Sequence, residues 1–353
     1  MCARENGKSN CLSDALAGSK SALILIGATV ALAVFLYAVV TPRPCSEVEA
    51  CQAAVQRFPH VLNAYAMCGL ATILAHEFVA LVINYRTALP LLDLIPSIKS
   101  VFLPSVLLCV TFAVLLAENA ILFTGWGSQF LFHASVVPGD ELSRDQFVPT
   151  VIYAEWLINV PILLVLAGKC ALGRPMGEIF GPLIWTNVYI LLAWAAHFVE
   201  DATARWAVIA VSFALYGWVS YDMAQWAVEF HRSAPQAAPT RILRPCLTLA
   251  LILLFGVYGI VYLVGFLGLI TSEQERTFYM SMNIFSKLAM SLAFAGIKTG
   301  AYHDMLVGML VNANLPFVRQ VAVADTDGEL DNLDELREML LKHSEQRSGD
   351  AAA

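Results

Sequence analysis

Lys287 is the only charged residue inside the apolar stretch from Thr277 to Ile297, and Lys298 follows at its far end. Placing an ionisable side chain near the centre of a bilayer costs roughly 2.5–3.5 kcal/mol on insertion scales, so such a residue usually has a task and a partner. An amine there either snorkels toward the headgroups, pairs with an acid from another helix, or serves a site. A candidate partner is Glu155, in the run Tyr153-Ala154-Glu155-Trp156-Leu157-Ile158-Asn159-Val160-Pro161. Glu155 and Asn159 are four residues apart, as are Asn283 and Lys287, so each pair shares one helix face. Facing the two together brings the costliest side chains of the apolar region into contact. Glu77, Glu118 and Asp222 are further acids, but each lies nearer a span end or beside polar neighbours, where water is expected to reach it.

The elements that position these groups follow from composition. Apolar residues make up 58% of the 353 and charged residues 14%, and the apolar residues come in blocks long enough to cross a bilayer. Windows of about 20 apolar residues predict eight spans, near 21–41, 60–85, 101–123, 149–169, 179–199, 205–230, 245–271 and 277–298. The hydrocarbon interior forces each to be helical, because an open strand would leave its backbone unsatisfied. The first span is too long for a usual signal-peptide core, and the Thr-Pro-Arg-Pro after it offers no small-x-small cleavage site. It is therefore read as an additional transmembrane helix.

With both ends in the cytoplasm, Arg4, Lys8, Lys20, Arg86, Lys169, Arg174, Arg232, Arg241, Arg244 and Lys298 fall inside, against Arg43, Arg57, Arg144, Arg205 and Arg276 in the opposite loops. This follows the positive-inside bias. It puts Cys45 and Cys51 on the non-cytoplasmic side, where a disulfide between them is permitted. No CxxC or Cys/His cluster suggests a metal, and the net charge of −7 argues against nucleic acid as a partner. Residues 1–20 read as a cytoplasmic tail. Residues 301–353 read as a second one, in which Leu330, Leu333, Leu336, Met339 and Leu340 predict an amphipathic helix over about 328–344. That helix lies against the protein or membrane surface, or connects to a cytoplasmic partner.

The string Tyr153-Ala154-Glu155-Trp156-Leu157 with Pro161 resembles the third helix of the microbial (type I) rhodopsins, with Glu155 at the counterion position. Tyr258-Gly259-Ile260-Val261-Tyr262-Leu263-Val264-Gly265 resembles their sixth helix, and Asn283-Ile284-Phe285-Ser286-Lys287 the seventh-helix segment that ends in the retinal-bearing lysine. The resemblance covers roughly residues 60–300. It implies an all-α membrane fold, a seven-helix retinal-binding bundle with one additional N-terminal helix, and a homo-oligomer in the lipid membrane. It also implies retinal, all-trans in the dark, held on Lys287 as a Schiff base with Glu155 as counterion. Desolvation pushes a buried cation toward its neutral form, so the protonated linkage needs a nearby negative charge. Trp156, Phe255, Tyr258 and Tyr262 would confine the polyene, with Trp206 and Phe213 added from the sixth span and Asn159, Pro161 and Asn283 completing the site.

Departures from the family pattern bear on function. In outward proton pumps an arginine lies one turn before the counterion, a carboxylate four residues before the lysine, and a proton-returning acid eleven residues after the counterion. Here those positions hold Ile152, Asn283 and Leu166, so Glu155 is expected to be the only counter-charge and continuous pumping is not expected. The extra helix resembles the eight-span rhodopsins joined to cyclase, phosphodiesterase or bestrophin effectors. The expectation is a light sensor that signals to a cytoplasmic partner or effector through its tail, with no catalytic domain in this chain. A light-gated channel is the alternative, for which Glu77, Glu118, Asn119, Thr186 and Asn187 could supply polar groups. A transporter or scaffold, with Lys287 and Glu155 as a plain ion pair, is the non-photochemical reading.

Overall fold

The structure is a computed structural model that describes residues 9–44, 60–88, 99–124, 131–133, 147–234 and 240–313. The chain divides into two units, residues 1–298 and 299–353. Within the described residues the helices are α1 (Ser9–Val40), α2 (His60–Ala88), α3 (Lys99–Phe123), α4 (Thr150–Val165), α5 (Met176–Ala196), α6 (Ala202–Ser233), α7 (Leu243–Phe266) and α8 (Ser272–Ala313). All eight contain a stretch long and apolar enough to cross a membrane. Each overlaps one of the eight spans expected from the sequence. The strongest difference is at the start of the chain, where residues 9–20, read from the sequence as a tail outside the spans, form the first turns of α1. No proline interrupts the chain between Ser9 and Val40, so nothing stops the helix before Thr41-Pro42. Cys45, Cys51 and the helix expected at 328–344 lie outside the described residues.

The sequence reading contains no strands, yet a small antiparallel sheet closes one end of the bundle. Strand β2 (Leu131–His133) pairs with β1 (Arg43–Pro44) on one side and with β3 (Phe147–Pro149) on the other. These segments are too short to show an alternating pattern. The sheet ties the loop after α1 to the α3–α4 connection, and this end is called the sheet end below. Phe132 on β2 meets Tyr37 of α1 and Phe198 edge-on. Tyr37 in turn stacks on Trp194 of α5, and Asn187 of α5 donates to the Thr29 hydroxyl at 2.7 Å. These contacts fasten α1 to α5, while Leu23, Ile26, Val30 and Val34 remain exposed, as expected of a helix that faces lipid.

Helix α4 carries Pro161 and continues into a π-helical turn, Leu166–Ala171. The wider turn is closed by Leu172 N–H donating to the Ala167 carbonyl at 3.1 Å. Gly168 within it has no room for a side chain, since a Cβ would lie 2.9 Å from Ile179 Cδ1 and 3.3 Å from Trp226. The glycine therefore lets α4, α5 and α6 converge. Phe112, Leu115, Leu163, Leu164 and Phe294 form the fully buried centre where α3, α4 and α8 meet.

Candidate functional site

Lys287 of α8 and Glu155 of α4 meet in the interior, with Nζ 3.8 Å from Oε1 and side chains 5% and 1% exposed. The lysine Nζ donates to Asn283 Oδ1 at 2.6 Å, and the Tyr258 hydroxyl donates to the same oxygen at 2.5 Å. On the opposite side Asn159 Nδ2 donates to Glu155 Oε1 at 2.5 Å and to the Thr111 carbonyl of α3 at 3.3 Å. Each charge is thus held by the amide one turn away on its own helix. The two amides fix the direction of the charged groups, and the 3.8 Å gap leaves the pair as a Coulombic contact.

Beside the lysine, α4 to α8 line an apolar cavity. Trp156, Phe213, Phe255, Tyr258, Tyr262 and Lys287 all line it. Trp156 stands edge-on to Tyr258, with ring centroids 5.7 Å apart. Tyr262 is oriented by its hydroxyl, which donates to the Ala193 carbonyl at 2.9 Å. At Gly259 a Cβ would come within 3.2 Å of the Phe213 ring, so the glycine sets how closely α6 and α7 approach.

Two expected pocket residues lie elsewhere. Trp206 is 45% exposed and packs edge-on against Phe266, seven residues and about two turns from Phe213 along α6. Its depth is wrong for the cavity. Pro161 is five residues from Trp156, about 140° around the helix, and it lines the apolar space beneath α1 instead. The sequence reading also missed α5, which contributes Tyr189, Ile190 and Ala193, and the hydroxyl residues Ser212 and Tyr216 of α6. Ser212 donates to the Tyr189 carbonyl at 2.9 Å and Tyr216 to the Ile252 carbonyl at 2.8 Å. Hydroxyl residues in mid-span were the available signal.

Further acids and cations expected near water are buried. Glu118 is 7% exposed and Glu77 3%. Glu118 lies near enough to Glu155, Lys287 and Arg276 to feel their charges. Arg205 and Arg276, assigned to loops by the sequence, are buried residues of α6 and α8. Both helices begin before their apolar stretches do. Arg276 Nη2 donates to Asn63 Oδ1 of α2 at 3.0 Å, and Arg205 Nε to the Val199 carbonyl at 2.8 Å. In the α5–α6 connection, His197 Nε2 and the Tyr153 hydroxyl are 2.9 Å apart. Burial, and secondarily the Arg205 charge, lower the His197 pKa to about 3. This imidazole is neutral at physiological pH.

Away from the sheet end, Lys298 of α8 lies 3.8 Å from Glu77 Oε2 of α2 and donates to the Ser105 hydroxyl of α3 at 3.0 Å. Ser291 donates to the other oxygen of Glu77.

The family model of bacteriorhodopsin-like proteins matches residues 18–297. The chain belongs to that family. No curated protein sequence matches this rhodopsin. Among solved structures it is similar to the transmembrane domain and linker region of the Salpingoeca rosetta rhodopsin phosphodiesterase, at a TM-score of 0.59 and 15% identity, over 84% of this chain and 90% of that one. The transmembrane domain alone gives 0.58 and 14%, over 80% and 98%. The light-driven proton pump of Coccomyxa subellipsoidea gives 0.52 and 17%, over 67% and 94%. These likenesses show the shared fold of seven helices with an additional N-terminal helix in this rhodopsin. Family membership implies a retinal chromophore in general. The residues present fit that group, because the cavity is almost wholly apolar, is walled by aromatic rings and includes the Lys287 amine in its lining.

Proposed function

We propose that this rhodopsin is a light sensor and not a proton pump, with Lys287 as the retinal-bearing residue and Glu155 as the counter-charge. Retinal, all-trans in the dark, supplies light absorption and a change of shape when bound through Lys287. Trp156, Phe213, Phe255, Tyr258 and Tyr262 restrict the space in which that change happens, and Asn283 and Asn159 hold the two charges in register. The observation that carries the reading is the complete burial of Leu166 at the position where a pump needs a proton-returning acid. This side chain can neither take up nor release a proton.

Helix α8 supports the signalling half of the reading. It carries Lys287 and continues to Ala313, so a displacement at the lysine is applied to the helix that leads toward the C-terminal tail. With both termini in the cytoplasm, that tail would meet a cytoplasmic effector, and no catalytic domain is proposed for this chain. The likeness to a rhodopsin phosphodiesterase transmembrane domain with its linker fits such an output. Cells expressing the protein with retinal should show a light-dependent change of the purified pigment's spectrum and no sustained light-driven change of external pH. Sustained acidification or alkalinisation under light would defeat the sensor reading.

A light-gated channel is the second reading. It is favoured by the line of buried polar groups, Glu77, Ser105, Thr111 and Glu118, along the α2 and α3 side of the bundle. Asn187 does not extend that line, since α5 turns it toward Thr29 of α1. A sizeable photocurrent carried by this chain alone would favour the channel.

A further inference from the structure

We propose that Glu118 is the second member of the counter-charge set, so that Lys287 is balanced by two carboxylates, one from α3 and one from α4, with Arg276 restraining Glu118 from the sheet end. The inference rests on the retinal reading of Lys287 and deepens it.

The register of α3 against α4 carries the geometry. These helices are consecutive and antiparallel, and Asn159 locks them by donating to the Thr111 carbonyl. Toward the sheet end, Glu155 is one turn from Asn159 and Glu118 is two turns from Thr111, which places Glu118 about one turn beyond Glu155. The packing of Leu122 with Val151 and Ile152 follows the same register. On α8, Lys287, Asn283 and Arg276 succeed one another at spacings of four and seven, on one face and in the same direction. Asn63 of α2 holds the Arg276 guanidinium on that face.

Glu118 is therefore faced by Glu155 from α4 and by Lys287 and Arg276 from α8, and all three act on its charge. Its Oε2 and the Oε2 of Glu155 are both buried and accept no hydrogen bond from the protein. Asn119, its neighbour, is occupied with the Leu115 carbonyl.

Groups that interact by more than about one pK unit lose their protons in separate macroscopic steps that belong to the set. The pigment reconstituted with all-trans retinal is titrated through its visible absorption as wild type, Glu118→Gln, Glu118→Asp and Glu155→Gln. Two steps are expected for wild type and Glu118→Asp, and one for Glu118→Gln, with the remaining midpoint moved by about one pH unit or more. A coloured Glu118→Gln protein that titrates as wild type overturns the inference and leaves the retinal reading intact. A wild-type protein that stays colourless overturns both. A readout without chromophore uses the retinal-free protein. The shifts in unfolding temperature of Glu118→Gln and Glu155→Gln should fail to add in the double variant, whereas strict additivity counts against a shared set.

Discussion

Helix α8 carries two lysines eleven residues apart, about 16 Å along its axis, and each lies 3.8 Å from a buried glutamate. By charge, distance and burial the pairs Lys287–Glu155 and Lys298–Glu77 are near equivalents. Their surroundings differ. Lys298 and Glu77 are completed by the hydroxyls of Ser105 and Ser291. Lys287 and Glu155 are completed by asparagines, and the lysine also borders an apolar cavity walled by aromatic rings. An ion pair by itself does not mark a chromophore site. Room beside the amine does.

The largest expected contrast comes from removing each amine. Lys287→Ala should lose all visible absorption after retinal is added, while Lys298→Ala should keep it. A coloured Lys287→Ala protein would erase the distinction between the pairs. Next in size is stability at the second pair. Lys298→Met leaves Glu77 buried without its cation and should cost about 3 kcal/mol in thermal unfolding, whereas the double variant Glu77→Gln/Lys298→Met should recover most of that loss.

Acid sensitivity separates the sheet end from the rest. His197 is neutral in the fold because burial holds its pKa near 3, below the ordinary 6.5. The unfolded chain takes up a proton below pH 6.5 that the folded chain refuses until about pH 3. Stability from this residue is complete above pH 6.5 and falls as the solution is acidified toward 3, by at most ~1.4 kcal/mol per pH unit. Unfolding temperatures of His197→Phe should show a shallower acid slope than wild type. An unchanged slope would assign the acid sensitivity to the carboxylates.

Smaller effects sharpen the hydrogen bonding of each pair. Tyr258→Phe removes one donor from Asn283, and Ser105→Ala removes the acceptor of Lys298, and each should cost about 1 kcal/mol. Only Tyr258→Phe should also alter the visible spectrum. Trp206→Phe should leave the spectrum in place and change stability by less than about 0.5 kcal/mol, since its ring lies toward lipid. A spectral shift from it would return Trp206 to the pocket.

Much of the site was legible in the chain. Lys287 and Glu155 are costly in hydrocarbon, so their rarity marks them, and four-residue spacing correctly assigned Asn283 and Asn159 to their faces. Trp156, Phe255, Tyr258 and Tyr262 lie on the cavity as expected. Trp206 and Pro161 failed because depth and angle relative to a neighbouring helix are not written in spacing along one helix. Glu77 and Glu118 were misread for a related reason, since nearness to a span end gives depth in the membrane but not which neighbours cover the side chain.

The sequence by itself determined that eight helices cross a membrane, because a run of apolar residues admits no other backbone in hydrocarbon. It also singled out the lysine and carboxylate whose burial demands compensation. Only the tertiary structure decided which lysine borders a cavity, that α5 forms part of its wall, and that Glu118 and Arg276 are buried. Those outcomes depend on the register and rotation of helices far apart in sequence. Side-chain packing and a few interhelical hydrogen bonds, such as Asn159 to Thr111, fix that register only once the helices meet.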